Sequence, residues 1–189
     1  MTDKKSSVVK IILSLTLVGM VSGSLLVSVY NYAMPKIKTN VRAGTEKAIK
    51  NIFPETEEIK NTKEEGVFRA VGENGKFLGY AILAEGNGYQ GIIKLIVGVN
   101  EDMSEMTGME VLESQETPGL GAEIAGEAFR KQFEGLSLKH AMEYLKNQKP
   151  QEPYQIEAIT GATISSRAVV NLLNERLDSV REKLKLKKI

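Results

Sequence analysis

Thr160-Gly161-Ala162-Thr163-Ile164-Ser165-Ser166 puts four hydroxyl side chains into seven residues, where one hydrophobic period gives way to another. Tyr154 to Ile159 alternates as a strand does. Val169, Leu172, Leu173, Leu177 and Val180 then recur at the spacing of one helix face. A strand, a turn of small residues and a helix start leave backbone N–H groups without intrahelical partners, so the turn can hold an anion. Thr163 adds a nucleophile-type hydroxyl at that spot. The same residues also make an ordinary helix cap, because Ser, Thr and Gly satisfy orphan N–H groups wherever helices begin. Local spacing leaves both readings open.

Glu116-Thr117-Pro118-Gly119-Leu120-Gly121 is the second stretch with unusual chemistry. Pro-Gly permits a tight turn, and Gly119 and Gly121 let backbone come close to a flat ligand. A helix is predicted from about Ala122 to Phe133, so this loop also sits at a helix N-terminus. Its alternative is a plain strand-to-helix turn.

Composition narrows what these loops can do. Cysteine is absent from the 189 residues, which removes disulfides, a thiol nucleophile and any thiolate-held cluster or zinc. The single histidine, His140, cannot supply both a hydrolase triad and a His-rich metal site, and it reads as a helix-surface residue. Neither loop carries a general acid or base placed for turnover, so no catalytic residue is assigned. Redox or group-transfer chemistry would have to come from a cofactor. Twenty-five basic and 24 acidic residues leave a net charge of +1, which gives no field that would recruit nucleic acid.

The elements that must position the loops come in chain order. Ile11 to Pro35 contains no charged residue, long enough and apolar enough for a transmembrane helix, here taken as 11–34. The run is too long for a signal-peptide core, and Tyr30, Tyr32 and Pro35 read as an interface boundary. Lys4, Lys5 and Lys10 before it balance Lys36, Lys38 and Arg42 after it, so basic charge alone does not orient it. Gly19 and Gly23 form a small-xxx-small pattern that permits close helix packing. Ile37, Val41, Ala48, Ile49 and Ile52 predict a juxtamembrane helix ending near Phe53-Pro54, followed by a charged, solvated turn over 55–65.

Strands are predicted over 67–71, 77–84, 92–99 and 106–112, separated by turn residues. Gly86-Asn87-Gly88-Tyr89-Gln90-Gly91 has the G-x-G-x-x-G spacing of a dinucleotide site. The next stretch is the β-branched run Ile92 to Val99, whereas such a site needs a helix start there. The glycines therefore read as a hairpin turn. A short helix over 138–145, a proline-bounded connector over 147–153 and a long C-terminal helix from about Ser166 to Leu186 complete the chain. That helix ends in a basic tail of Arg181, Lys183, Lys185, Lys187 and Lys188. The fold class is α+β, an antiparallel-rich sheet with flanking helices and one N-terminal transmembrane helix.

Three segments taken together resemble the FMN-binding domain family: Gly88 to Val99, Glu116 to Gly121, and Thr160 to Ser166. With one membrane helix and a chain this short, the pattern is most similar to the G subunits of Rnf electron-transport complexes. The resemblance implies that Thr163 carries FMN through a phosphoester to the ribityl phosphate, attached by a flavin transferase on the outer side of the membrane. It implies a cofactor site of Thr163, Thr160, Gly161, Ala162 and Ser166 with Glu116, Thr117, Pro118, Gly119, Leu120 and Gly121. The family pattern often has Asp three residues before the motif; this sequence has Glu157.

The same resemblance implies residues 1–10 in the cytoplasm, a span at 11–34, a juxtamembrane helix and connector over 35–62, and an extracytoplasmic FMN-binding domain over 63–189. The chain would be an electron-transfer subunit of an ion-translocating ferredoxin:NAD+ oxidoreductase in the cell (inner) membrane. Its partners would be the other membrane and peripheral subunits. This chain has no nucleotide fingerprint or cluster ligands with which to oxidise NADH or ferredoxin alone. The alternatives are the C subunit of the sodium-pumping NADH:quinone oxidoreductase, a membrane-anchored binding module without catalysis, and a self-standing flavin reductase.

Overall fold

A computed structural model describes residues 2–186, which divide into two units between Ala43 and Gly44. Helix α1 runs over Thr2–Ile52 with Pro35 inside it. The sequence predicts two helices here, one on either side of Pro35. Proline removes the ladder donor for the Asn31 carbonyl, yet the helix continues, and the Thr39 hydroxyl adds a bond to the Pro35 carbonyl at 3.0 Å. In the first unit the large apolar side chains from Val9 to Val29 are exposed, as in a helix that meets lipid. At Tyr32, the Lys36 ammonium lies 4.2 Å from the ring centroid.

The second unit is built on a five-stranded antiparallel sheet in the order β1-β2-β3-β4-β5. The strands are β1 Glu58–Asn61, β2 Val67–Val71, β3 Phe77–Asn87, β4 Ile92–Val99 and β5 Met106–Ser114. The α+β, antiparallel-rich class read from the sequence is the class observed. The unexpected strand is β1, which lies in the stretch read as a solvated turn. Glu58 and Lys60 make it an edge strand whose charges discourage further pairing.

Alternation along β4 explains the two layers. Ile93, Leu95, Val97 and Val99 face one core, shared with Ile82, Ala84 and the C-terminal helix residues Val169, Leu173, Leu177 and Val180. Ile96 faces the other, against Ala70, Ala81 and the end of α1 at Ala48, Ile49, Ile52 and Phe53. Each fully buried Ile or Leu contributes about 1.5–3 kcal/mol by leaving water, which ties both covering helices to the sheet. Helix α3 spans Thr163–Leu186, beginning three residues earlier than the sequence suggests. Lys187 and Lys188 of the basic tail lie outside the described residues.

Two predicted helices are absent. The stretch 122–133 is a 3-10 turn Gly121–Ala125, one α-turn (α2, Glu127–Arg130) and a 3-10 turn Lys131–Phe133. Gly126, extended at φ −67° and ψ 147°, breaks it; Ile124, Phe129 and Phe133 are buried, whereas Ala125 and Ala128, which the helical period also turns inward, are exposed. The stretch 138–145 is loop followed by β6, Glu143–Leu145, paired in parallel with β7, Gln155–Glu157. The Asn174 side chain, accepting from Met142 N–H and donating to Met142 C=O, satisfies this extended backbone better than a short helix would. His140 is exposed on that loop, with its ring 5.1 Å from that of Tyr154.

Candidate functional site

Two turns of the same design face each other at one end of the sheet. In the first, Leu120 N–H donates to Thr117 C=O at 3.1 Å, and Gly119 takes φ +72°. In the second, Ala162 N–H donates to Ile159 C=O at 2.9 Å, and Gly161 takes φ +83°. A positive φ at the third residue of such a turn suits glycine, because a Cβ there meets backbone. Leu120 leans over Gly161: a Cβ built on Gly161 lies 3.2 Å from Leu120 Cδ2.

Between the turns lies a cleft of about 380 Å³, within the range of roughly 300–1,000 Å³ usual for ligand sites. Thr117, Leu120 and Gly121 form one wall, and Gly161, Ala162, Thr163, Ile164 and Ser165 the other. Tyr89, from the β3–β4 turn, and Lys146, just beyond β6, close the sides. Glu116 lies at the base, 6% exposed.

Helix α3 opens into this cleft. Its earliest ladder bond runs from Ser166 N–H to Ala162 C=O at 3.0 Å. The N–H groups of Thr163, Ile164 and Ser165 have no hydrogen-bond acceptor among the described residues. Three unpaired donors and the positive end of a 24-residue helix dipole therefore face the space beside the half-buried Thr163 side chain. An anionic group linked to that hydroxyl would sit where its charge is stabilised.

Glu116 holds the surrounding backbone together. Its Oε1 accepts from Tyr89 N–H at 2.6 Å and Gln90 N–H at 3.1 Å, and its Oε2 accepts from Ser165 Oγ at 2.7 Å. The packing is close. A Cβ on Gly121 would fall 2.5 Å from Glu116 Oε2 and 2.7 Å from Ser165 Oγ, and one on Gly88 would collide with Glu116 Oε1. Glycine is required at both places by approach rather than by φ.

The residues named from the sequence divide by position. Thr163, Gly161, Ala162, Glu116, Thr117, Leu120 and Gly121 line the cleft; Pro118, Gly119 and Thr160 stand exposed at the turn tips. Ser166 is fully buried. Its Oγ donates to Ala162 C=O and accepts from Ile159 N–H, both at 3.0 Å, so it braces the turn from behind. Glu157, outside the lining, is fixed by its backbone to the Gln132 side-chain amide.

Sequence reasoning missed Tyr89, Lys146, Ile164 and Ser165 as lining residues. Tyr89 and Ser165 lie inside the segments that carry the family resemblance, and their signal is proximity to the glycines and to Thr163. Lys146 has no local signal. The β6–β7 register, with Leu145 opposite Glu157, brings it to the cleft.

Comparison with known proteins gives concordant matches. Residues 88–178 match the family described as "FMN-binding domain". The chain is 31% identical, over 95% of its length and 97% of the relative's, to the G subunit of the ion-translocating oxidoreductase complex of Methanosarcina acetivorans. It is 28% identical, over 93% of both chains, to the G subunit of the proton-translocating ferredoxin:NAD(+) oxidoreductase complex of Clostridium ljungdahlii. Among solved structures, Shewanella oneidensis NqrC superposes with a TM-score of 0.54 at 25% identity, over 64% of this chain and 63% of that one.

Proposed function

We propose, for a chain that belongs to the family of G subunits of ion-translocating oxidoreductase complexes and whose cofactor is FMN, the role of a membrane-anchored electron relay. The complex is a ferredoxin:NAD+ oxidoreductase of the Rnf type. The flavin supplies the chemistry, accepting and passing electrons between redox centres of partner subunits. The chain supplies attachment, orientation and electrostatics. In this reading Thr163 bonds covalently to the FMN phosphate, and a flavin transferase makes that bond. Residues 1–10 are cytoplasmic, 11–34 span the membrane, 35–62 connect, and the FMN-binding domain of 63–189 lies on the extracytoplasmic face.

The observation that carries the reading is the meeting, in one cleft, of the Thr163 hydroxyl and the three unpaired N–H groups at the start of α3. A phosphodiester on Thr163 keeps one negative charge, and those donors and the helix dipole stabilise it. Leu120 and Tyr89 offer apolar and aromatic faces to a flat ring, and the Thr117–Gly121 backbone offers polar groups to its edge. Lys146 brings a cation to the same cleft. No side chain there is needed as an acid or base for substrate turnover, which suits relay over catalysis.

The likeness to NqrC favours one second reading, the same domain serving as the C subunit of a sodium-pumping NADH:quinone oxidoreductase. The match to the Methanosarcina G subunit spans 95% of this chain and the superposition on NqrC 64%, so the G-type complex is the better-supported host. Expression with and without a flavin transferase tests the attachment. A band that fluoresces in a denaturing gel only when the transferase is present, and stays dark in Thr163→Ala, is the expected result. A dark wild-type band in both hosts would contradict the reading.

A further inference from the structure

We propose that Glu116 is a positioning residue: it fixes the cleft's two sides relative to each other, and its charge lowers the potential of the flavin held between them. The inference rests on reading the cleft as the flavin site. Glu116 lies on the loop after β5, yet its bonds reach two other elements. One oxygen accepts from the β3–β4 turn at Tyr89 and Gln90, the other from α3 at Ser165, two residues beyond Thr163. Among the described residues no other side-chain hydrogen bond joins that turn to the start of α3. The glycines at 88 and 121 leave room for the carboxylate and for nothing larger.

The chemistry of these contacts suits a charged carboxylate. All three partners are donors, two of them backbone N–H groups that can do nothing else. No Lys or Arg among the described residues lies within ion-pair distance of Glu116. The negative charge is thus held by hydrogen-bond donors and not by a contacting cation, although Lys146 lines the same cleft. The other titratable side chains lining the cleft are Tyr89 and Lys146. A flavin ring held in the cleft would gain negative charge on reduction unless a proton followed from solvent. A fixed carboxylate in a water-poor setting opposes that added charge. The reduced form is disfavoured and the potential falls.

Two substitutions separate the roles. Glu116→Gln keeps an acceptor oxygen for Tyr89 and Gln90 and sets an amide against the Ser165 hydroxyl, which can accept; only the charge is lost. Glu116→Ala loses the contacts as well. The full chain is isolated from membranes of a host with flavin transferase, and the flavin midpoint potential is titrated. Amide exchange at Tyr89 and Gln90 is measured in the same proteins and again on a Thr163→Ala background, which does not depend on flavin.

Glu116→Gln is expected to keep its flavin and slow exchange at both amides while its potential rises. Glu116→Ala is expected to exchange faster at both amides and to carry less flavin. Glu116→Asp, one methylene shorter but charged, should loosen the amides without the rise in potential. An unchanged potential in Glu116→Gln overturns the electrostatic role. Unchanged exchange in Glu116→Ala overturns the positioning role. A wild-type chain without flavin would count against the flavin reading alone, because the exchange arms on the Thr163→Ala background still decide whether Glu116 ties the cleft together.

Discussion

Ser166 and Thr163 carry similar chemistry three residues apart, and burial separates their work. Thr163 is half-buried and lines the cleft; Ser166 is sealed and spends its hydroxyl on Ala162 and Ile159. From the sequence both are cofactor candidates, because spacing shows which residues cluster and not which way each side chain turns. Ser166→Ala leaves Ile159 N–H without its acceptor inside the protein, a loss of about 1–3 kcal/mol. Thermal unfolding of the full chain in detergent should show that loss as a lower midpoint, with the flavin bond still formed on the molecules that remain folded. An unchanged midpoint would mean the turn is braced some other way.

At the scale of elements, the sheet holds the two turns in register by being pinned on both faces. Strands β2 to β5 are legible because apolar, strand-forming runs are bounded by turn residues, over eight or more residues in β3, β4 and β5. The pieces between 121 and 145 are not. Of the inward face predicted over 122–133 only the large residues Ile124, Phe129 and Phe133 are buried, since Gly126 breaks the ladder and short turns leave Ala125 and Ala128 exposed. The β6–β7 pair is three residues long on each side and is held by Asn174, which no local pattern announces. Lys146 escapes sequence reasoning with it.

The end of α1 gives the sheet its second cover, and two paired glycines test that packing. Gly98 of β4 and Gly108 of β5 are cross-strand partners. A Cβ at Gly98 would strike Ile52 Cγ2 and lie 2.9 Å from the Phe53 ring, whereas one at Gly108 would have 3.7 Å to its nearest neighbour. Gly98→Ala should cost about 1–3 kcal/mol by overpacking, and Gly108→Ala, whose Cβ makes only ordinary contacts, should be neutral or stabilising by up to about 1 kcal/mol. Denaturant midpoints for the two variants check this. Equal losses would show that α1 is not seated on the sheet at Gly98.

For the whole molecule, one apolar helix and one FMN-binding domain divide location from chemistry. The long uncharged run is plain in the sequence, and its continuation through Pro35 is not, because the rule that proline ends helices is statistical and a single missing donor is tolerated. Absence of cysteine and the single histidine mean that any redox or group-transfer chemistry needs a borrowed cofactor. The family match and the cleft converge on FMN. The central claim is the bond at Thr163. Intact-mass measurement of the chain isolated from membranes of a host with flavin transferase tests it most directly. The expected mass exceeds that of the bare polypeptide by one FMN less one water, and Thr163→Ala returns to the bare mass. A wild-type chain at the bare mass, or a Thr163→Ala chain that keeps the added mass, would contradict it.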